Sequence, residues 1–245
     1  MFEKNLIKFD KIDSTNTYLK THASELNSGT IVDAKIQTSG YGRKNRTWYD
    51  DGINNLSFSL LLKIEVRQDF PILTQAVAAA IAITLKTIGI ESKIKWPNDI
   101  LINCKKVAGI LLETIISEKN ADVIIGIGLN VNSTIFDKDI DGKATSLFLE
   151  SKQKYDLDYL RDLIVDNIYN FVDDYIKGDY DFLDICRSYS YLIGKNVYLD
   201  DNIKKEALVK GIDQLGRLVV LIDNKEEKFN GSEVSLKGVY SQGEK

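Results

Sequence analysis

The spacing of apolar and polar positions divides the chain into two parts. Up to about residue 190, segments with helical spacing alternate with short runs typical of strands, and beyond that point only short strands follow. This pattern predicts an α/β (α+β) domain over residues 1–190 and a small β-barrel-like domain over residues 191–245. A chain of 245 residues is long enough to bury a full core in such a fold.

The helices of the first part are predicted from apolar residues at helical spacing. Either Ser14 or Asp13 can cap a first helix that Gly29 ends. Residues 71–88 are rich in Ala and Ile and apolar almost all round, which predicts a helix buried against a sheet and closed by Gly89. A longer helix is predicted over residues 155–177, and a short one follows over about 182–192.

Strands are predicted where short apolar runs lie between turn residues. In the first part they cover residues 30–37, 56–64 and 122–130, with a hairpin over 93–116 that turns at Asn103, Cys104 and Lys105. In the second part they cover residues 197–199, 207–209 and 218–221, with turns at 200–202, 213–216 and 223–224.

Composition excludes several classes of function. A formal net charge of −4 argues against a nucleic-acid binder, because such domains are usually basic. Cys104 and Cys186 lie far apart and His22 is the single histidine, so neither a disulfide framework nor a Cys/His zinc site is expected. No leader-like segment opens the chain, and no run approaches the length of a membrane span. We therefore expect a cytoplasmic protein with neither DNA nor a membrane as partner.

The segment over residues 40–48, Gly-Tyr-Gly-Arg-Lys-Asn-Arg-Thr-Trp, holds three cations and an indole. Gly40 and Gly42 allow the backbone to approach a ligand closely, and the cations favour an anionic ligand. The alternative is an ordinary charged surface turn, with Trp48 as a core anchor. The segment alone does not decide between the two.

Three further segments combine polar groups with restricted backbone. Residues 13–16, Asp-Ser-Thr-Asn, are either a helix cap or a set of hydrogen-bonding groups for a small neutral ligand. In residues 95–99, Lys-Trp-Pro-Asn-Asp, Pro97 fixes its own φ and favours an extended Trp96, which holds the neighbouring side chains in set directions; an edge-strand kink is the alternative. Lys106 begins the next predicted strand. Its ammonium group either binds a ligand or is exposed to solvent.

The segment over residues 126–130 places two glycines in an apolar strand. Glycine weakens a strand unless another group, such as a helix or a flat ring, must come close. Asn130 could hydrogen-bond that group. The third glycine and the following helix of a dinucleotide-binding fingerprint are missing.

In this order and spacing, the segments resemble biotin protein ligases, which attach biotin to a lysine of a carboxylase carrier domain. The matching stretches are residues 13–16, 37–48, 95–99, 106–111, 126–130 and 230–236, so the resemblance covers nearly the whole chain. It implies a catalytic domain similar to class II aminoacyl-tRNA synthetases, followed by an SH3-like barrel. Because the first matching stretch begins at Asp13, a short form without an N-terminal DNA-binding domain is expected.

The resemblance implies a reaction in two steps. Biotin and ATP give biotinyl-5'-AMP and pyrophosphate, and biotin then passes to a lysine of the biotin carboxyl carrier protein of acetyl-CoA carboxylase or of another biotin-dependent carboxylase. Cations must neutralise the carboxylate and the α-phosphate as they meet, and Lys95 and Arg43 are expected to be these catalytic residues. Mg²⁺ is expected to arrive on ATP, with no metal ligand assigned to the protein. A homodimer is left open.

The resemblance also implies binding roles, and it makes the 40–48 loop a lid that keeps water from the adenylate. The expected biotin-binding residues are Ser14, Thr15, Asn16, Gln37, Gly40, Gly42, Arg43, Trp48, Lys95 and Gly109. The expected ATP- and adenylate-binding residues are Arg43, Arg46, Trp48, Lys95, Asn98, Lys106, Gly126, Gly128 and Asn130.

The chain departs from the family's loop, Gly-Arg-Gly-Arg-x-Gly-Arg-x-Trp, at two positions. Tyr41 stands where an arginine is usual, which removes a charge and leaves the role of that position in phosphate binding open. Asn45 replaces a glycine, a milder change because Asn tolerates a left-handed backbone. Two other functions remain as alternatives: a lipoate or octanoate protein ligase of the same fold, and a non-catalytic biotin-sensing regulator.

Overall fold

A computed structural model describes residues 3–49, 52–67, 69–199, 205–231 and, for the backbone, 236–237. Its helices are α1 Thr15–His22, α2 Leu73–Thr87, α3 Leu147–Ser151, α4 Leu157–Lys177 and α5 Phe182–Ser188. Its strands are β1 Asn5–Ile12, β2 Thr30–Gln37, β3 Leu56–Glu65, β4 Lys93–Lys95, β5 Asp99–Ile102, β6 Lys105–Ile116, β7 Asn120–Leu129, β8 Asn196–Leu199, β9 Lys205–Ile212, β10 Leu218–Ile222, β11 Lys225–Phe229 and β12 Leu236–Lys237.

The first part of the chain forms a seven-stranded sheet in the order β1-β2-β3-β7-β6-β5-β4. β1 and β2 run parallel, and the other neighbouring pairs run antiparallel. Because side chains alternate across a strand, Leu61 of β3 faces α1, while its neighbours Leu60 and Leu62 face the larger core that includes α2 and α4. The sheet is therefore covered by helices on both faces, and the predicted α/β (α+β) class is confirmed.

The central helix corrects one expectation. Phe70–Thr87 is long and apolar enough to cross a membrane by length and composition, so the expectation that no run approaches that length was wrong. In the fold, 72% of this segment is buried, and α2 packs between the sheet and α4. Its uniform apolar surface is explained by this position in the core.

Most predicted elements of the first part are confirmed, with shifted ends. The first helix stops at His22 because residues 23–29 leave the helical path well before Gly29. The turn of the predicted hairpin comprises Asn103 and Cys104 alone, both with positive φ, as a two-residue turn of type I′ requires. Lys105 already belongs to β6, so the predicted turn was one residue too long.

The second part forms a five-stranded antiparallel sheet in the order β11-β10-β9-β8-β12. It contacts the first part through its turn at Gly216, whose carbonyl accepts hydrogen bonds from Gln75 Nε2 at 2.6 Å and Trp96 Nε1 at 3.0 Å. The small domain is thus attached beside the 95–99 segment. The turn predicted at 200–202 and the matching residues 232–235 lie outside the described residues.

Candidate ligand-binding site

A cavity of about 350 Å³ opens between the start of α1, the 40–48 loop and strands β4 to β7. The fold brings together residues that are separated by up to about a hundred positions in the sequence. The predicted site residues that line the cavity are Ser14, Thr15, Asn16, Gln37, Gly42, Arg43, Arg46, Trp48, Lys95, Asn98, Lys106, Gly109, Gly126 and Gly128.

Two predicted site residues, Gly40 and Asn130, do not line this cavity. Gly40 is buried, and a Cβ atom there would lie 3.2 Å from Nε2 of Gln37. Asn130 is also buried and donates its side-chain amide to the carbonyl of Thr145 at 3.1 Å. In this structure Asn130 therefore stabilises the chain that follows β7, and its contact with an adenylate stays a prediction.

One end of the cavity, here called the neutral end, consists of Ser14, Thr15, Asn16 and Gln37 with the neighbouring Ser59. Oγ of Ser14 accepts a hydrogen bond from the Thr17 amide at 3.4 Å, which confirms the predicted helix cap. Both N and Oγ1 of Thr15 donate to Oε1 of Gln37, at 2.8 and 3.1 Å. This end presents uncharged donors and acceptors whose positions are fixed by one another.

Ser59 of β3 completes the neutral end and was missed by the sequence analysis. Its Oγ lies 2.6 Å from Oγ1 of Thr15 and donates to Oδ1 of Asn16 at 2.5 Å. The signal was the pair Ser57 and Ser59 in an otherwise apolar strand, because a buried hydroxyl requires a partner.

The other end of the cavity, here called the charged end, consists of Arg43, Arg46, Lys95 and Lys106. Lys95 is only 6% exposed. Burial lowers its pKa to about 8; nearby Asp99 opposes this shift, while Lys106 and Arg46 add to it. The ammonium group of Lys95 is therefore buried near one carboxylate and two further cations, a position that an anionic ligand would stabilise.

The 40–48 loop is closed by backbone hydrogen bonds from Trp48 N to the carbonyl of Gly40 at 3.0 Å and from Gly42 N to that of Arg46 at 2.8 Å. Asn45 has a φ of 55°, the left-handed conformation that suits either asparagine or the glycine it replaces. The loop thus retains its turn despite this substitution.

Arg43 joins the loop to two other parts of the site. Its guanidinium donates to Oδ1 of Asn98 at 3.0 Å and also to the carbonyl of Gly231 in the small domain. Asn98 in turn donates to the carbonyl of Ile110 at 3.0 Å. Arg43 therefore connects the loop, the 95–99 segment and the small domain.

The glycines of β6 and β7 allow side chains of the protein to pack directly against the sheet. Gly109 and Gly128 are register partners on β6 and β7, and the indole of Trp48 lies over them. A Cβ atom on Gly128 would lie 2.3 Å from the ring carbons of Trp48, and one on Gly126 would lie 2.2 Å from Oδ1 of Asn16. The prediction of a close approach is confirmed, although the approaching groups here are an indole and an amide of the protein.

The residues around the cavity offer little for a metal ion. Among the described residues, no group of three or more His, Cys, Asp or Glu side chains could hold one. Asp99 is the only carboxylate among the described residues that line the cavity, and its Oδ1 lies 2.7 Å from Nζ of Lys106. That no protein residue holds a metal ion stays a prediction.

Comparison with known proteins adds independent findings. The profile of the "Biotin/lipoate A/B protein ligase family" matches residues 8–130, and that of the "Biotin protein ligase C terminal domain" matches residues 192–237. The bifunctional ligase/repressor BirA of Bacillus spizizenii is 41% identical over 159 residues, which are 62% of this chain and 49% of that protein. BirA of Escherichia coli is 27% identical over 92% of this chain and 72% of its own length.

Among solved structures, the biotin protein ligase of Aquifex aeolicus in complex with biotin and ATP is similar, with a TM-score of 0.84 and 27% identity. The match covers 96% of this chain and 99% of that one. By contrast, the match with BirA of Bacillus spizizenii spans only about half the length of that protein. The predicted fold, with its small second domain, is confirmed by these likenesses.

Proposed function

The chain belongs to the biotin/lipoate A/B protein ligase family, and from this premise we propose that it is an ATP-dependent biotin protein ligase. It activates biotin with ATP to biotinyl-5'-AMP and pyrophosphate, and it then transfers the biotinyl group to a lysine of a biotin carboxyl carrier protein. The proposed place of this reaction is the cytoplasm.

One observation carries the proposal: the cavity is polar at both ends, but in different ways. Biotin has a carboxylate at one end and a ureido group, with N–H donors and a carbonyl acceptor, at the other. The charged end suits a carboxylate beside a triphosphate, and Thr15 and Gln37 at the neutral end offer partners for a ureido group. The dithiolane of lipoate and the alkyl chain of octanoate have no such groups, so this arrangement favours biotin.

In the first step, a carboxylate oxygen of biotin attacks the α-phosphorus of ATP, and the bond to the leaving pyrophosphate breaks. Lys95 and Arg43 reduce the repulsion between the two anions and hold them in line, and Arg46 and Lys106 add positive charge nearby. The lowered pKa of Lys95 rises again when these anions bind, because opposite charges stabilise the ammonium form. A Mg²⁺ ion held by the ATP phosphates would screen part of their charge.

In the second step, the neutral amine of the carrier lysine attacks the carbonyl carbon of the mixed anhydride. The C–O bond to AMP breaks, and the amine loses a proton to solvent. Between the two steps the anhydride must be kept from water, and we assign this task to the 40–48 loop with Trp48 over Gly128. No side chain of the protein has to act as a nucleophile.

The test is ATP–pyrophosphate exchange measured with biotin, lipoate and octanoate in turn. We expect exchange with biotin and background rates with the other two acids. Exchange with lipoate but not biotin would replace the proposed substrate. If biotin binds in calorimetry without exchange, the protein is a biotin-sensing regulator and the proposed activity is wrong.

A further inference from the structure

Glu113 lies where α1, β6 and the 40–48 loop meet. It belongs to β6, four residues beyond Gly109, and its side chain is 25% exposed. Lys20 of α1 donates to Oε1 of Glu113 at 2.8 Å, and Asn16 of the same helix donates to Oε2 at 2.8 Å. One carboxylate thus accepts hydrogen bonds from two residues of the helix that begins at the neutral end.

The third partner of Glu113 comes from the loop. Tyr41 pairs with Thr47 across the base of the 40–48 loop, and its hydroxyl donates to Oε2 of Glu113 at 2.9 Å. The ammonium group of Lys20 lies 5.3 Å from the centre of the Tyr41 ring, within cation–π range. Tyr41 therefore uses its ring and its hydroxyl to fix the base of the loop against the body of the domain.

The carboxyl group of Glu113 is held in its ionised form. Burial raises the pKa of its carboxyl group, but the hydrogen bonds from Lys20, Asn16 and Tyr41 outweigh burial and lower the pKa below its ordinary value. Glu113 is therefore ionised at neutral pH, and hydrogen bonds to an ionised acceptor are shorter and stronger than those between neutral groups.

The same carboxylate reaches the neutral end through Asn16. Asn16 donates to Glu113 through Nδ2 and accepts from Ser59 through Oδ1. Ser59 in turn lies 2.6 Å from the hydroxyl of Thr15. Hydrogen bonds of Glu113 and Asn16 thus connect the base of the loop with the end of the cavity assigned to the ureido group.

We propose that Glu113 is a positioning residue that ties the base of the 40–48 loop to the neutral end of the cavity, with Tyr41 as its partner on the loop. Tyr41 then acts on the position of the loop, where an arginine of the family pattern would bring a charge. This inference rests on the proposed function, because its consequence is a longer residence of the adenylate: the loop opens only after the hydrogen bond between Tyr41 and Glu113 breaks.

The first test needs no ligand. The loop contains three trypsin sites, after Arg43, Lys44 and Arg46, and mass spectrometry can follow cleavage at each of them in the full chain. Tyr41→Phe removes only the hydroxyl and is expected to speed cleavage at these sites about tenfold, the low end of the effect of losing one hydrogen bond to an ionised acceptor. Tyr49→Phe is the matched control: it removes a hydroxyl whose bond to Asp139 is long, at 3.4 Å, and leaves cleavage unchanged.

The second test measures how long labelled biotinyl-AMP stays on the enzyme. Tyr41→Phe is expected to shorten the residence time about tenfold and to change the rate of adenylate formation less than this. In a Glu113→Leu background, Tyr41→Phe should add nothing to the change, since the acceptor is already absent. A change in folding stability alone would alter both rates together.

The outcomes separate the two proposals. Equal cleavage and equal residence in Tyr41→Phe and in the unchanged protein would overturn the role of Glu113 and Tyr41, whatever the substrate. An additive effect in the Glu113→Leu background would do the same. Absence of biotin-dependent exchange in the unchanged protein would overturn the proposed function, and the trypsin test would still decide whether the hydrogen bond holds the loop.

Discussion

The two ends of the cavity solve opposite problems. At the neutral end, Thr15, Gln37 and Ser59 already satisfy one another by hydrogen bonds in a largely buried network. At the charged end, Lys95 is buried near Lys106 and Arg46, with Asp99 as the opposing charge. The first end is in place before a ligand arrives, whereas the second is held at an electrostatic cost that an anion removes.

This difference indicates how binding and chemistry are divided between the two ends. Ordered neutral groups bind one part of the substrate equally well before and during the reaction, which lowers KM. Cations held close together gain most when negative charge concentrates between them, as in the attack on the α-phosphate. Substitutions at the two ends should therefore change different kinetic constants.

The largest effect is expected from Lys95→Met. Loss of this cation should reduce biotin-dependent ATP–pyrophosphate exchange by about 10³-fold, the scale for a group that stabilises charge in a transition state. The same variant should be more stable at pH 7. Because the folded pKa of Lys95 is below its unfolded value, its burial costs free energy below about pH 8, and this cost fades as the pH rises towards the unfolded pKa.

Lys93→Met is the matched control, because Lys93 lies on the same strand but is exposed and outside the cavity. It should change neither exchange nor thermal stability appreciably. If Lys95→Met kept near-normal exchange, or unfolded at a lower temperature than the unchanged protein at pH 7, the description of the charged end would be wrong.

The next largest effect is expected from Arg43→Gly. The change removes the hydrogen bonds to Asn98 and Gly231 that join the 40–48 loop to the 95–99 segment and the small domain. Labelled biotinyl-AMP should then leave about fiftyfold faster, as expected for the loss of a charged group with two partners. Lys35→Gly serves as the control, because it also replaces a cation by glycine but lies outside the cavity, where it loses an exposed pair with Asp10. Unchanged or tighter retention would contradict the connecting role of Arg43.

A smaller effect, on a different constant, is expected from Thr15→Val at the neutral end. The substitution keeps the shape but removes the hydroxyl between Gln37 and Ser59, so KM for biotin should rise about twentyfold while kcat changes less. Thr21→Val is matched, because Thr21 lies on the same helix and its hydroxyl only bonds the backbone of Thr17 at the surface. A fall in kcat with KM unchanged would remove the distinction between the two ends.

The sequence predicted the long elements well and the short or exposed ones poorly. α2 and α4 have strong apolar patterns, but β1 is an edge strand whose side chains are mostly exposed, and α3 has only five residues. A pattern of burial cannot reveal elements that bury little. The family resemblance did not depend on burial, because it came from several motifs that follow one another in the family's order.

The site could be predicted where a motif concentrated polar residues, and not where a partner came from an apolar strand. Ser59 and Glu113 each lie among hydrophobic residues, so their roles depend on which strands become neighbours of α1. Asn130 shows the converse: its motif suggested a ligand contact, whereas its amide bonds Thr145, fifteen residues further on. Such pairings are properties of the fold and not of local spacing.

The smallest effect concerns the pH dependence of the charged end. Biotin and ATP should require cationic Lys95, so kcat/KM should fall as the pH rises through about 8, the pKa of this group in the free protein. Asp99 raises that pKa and also pairs with Lys106, so Asp99→Asn weakens the opposing charge and should move the decline to lower pH. At pH 8.5 we expect kcat/KM about threefold below that of the unchanged protein, from a shift of roughly half a pH unit.

The pH profile of kcat should decline only at higher pH, because bound anions restore the charge on Lys95. If the decline in kcat/KM stayed at the same pH or moved to higher pH in Asp99→Asn, a group other than Lys95 would cause it. The electrostatic cost assigned to the charged end would then not come from Lys95.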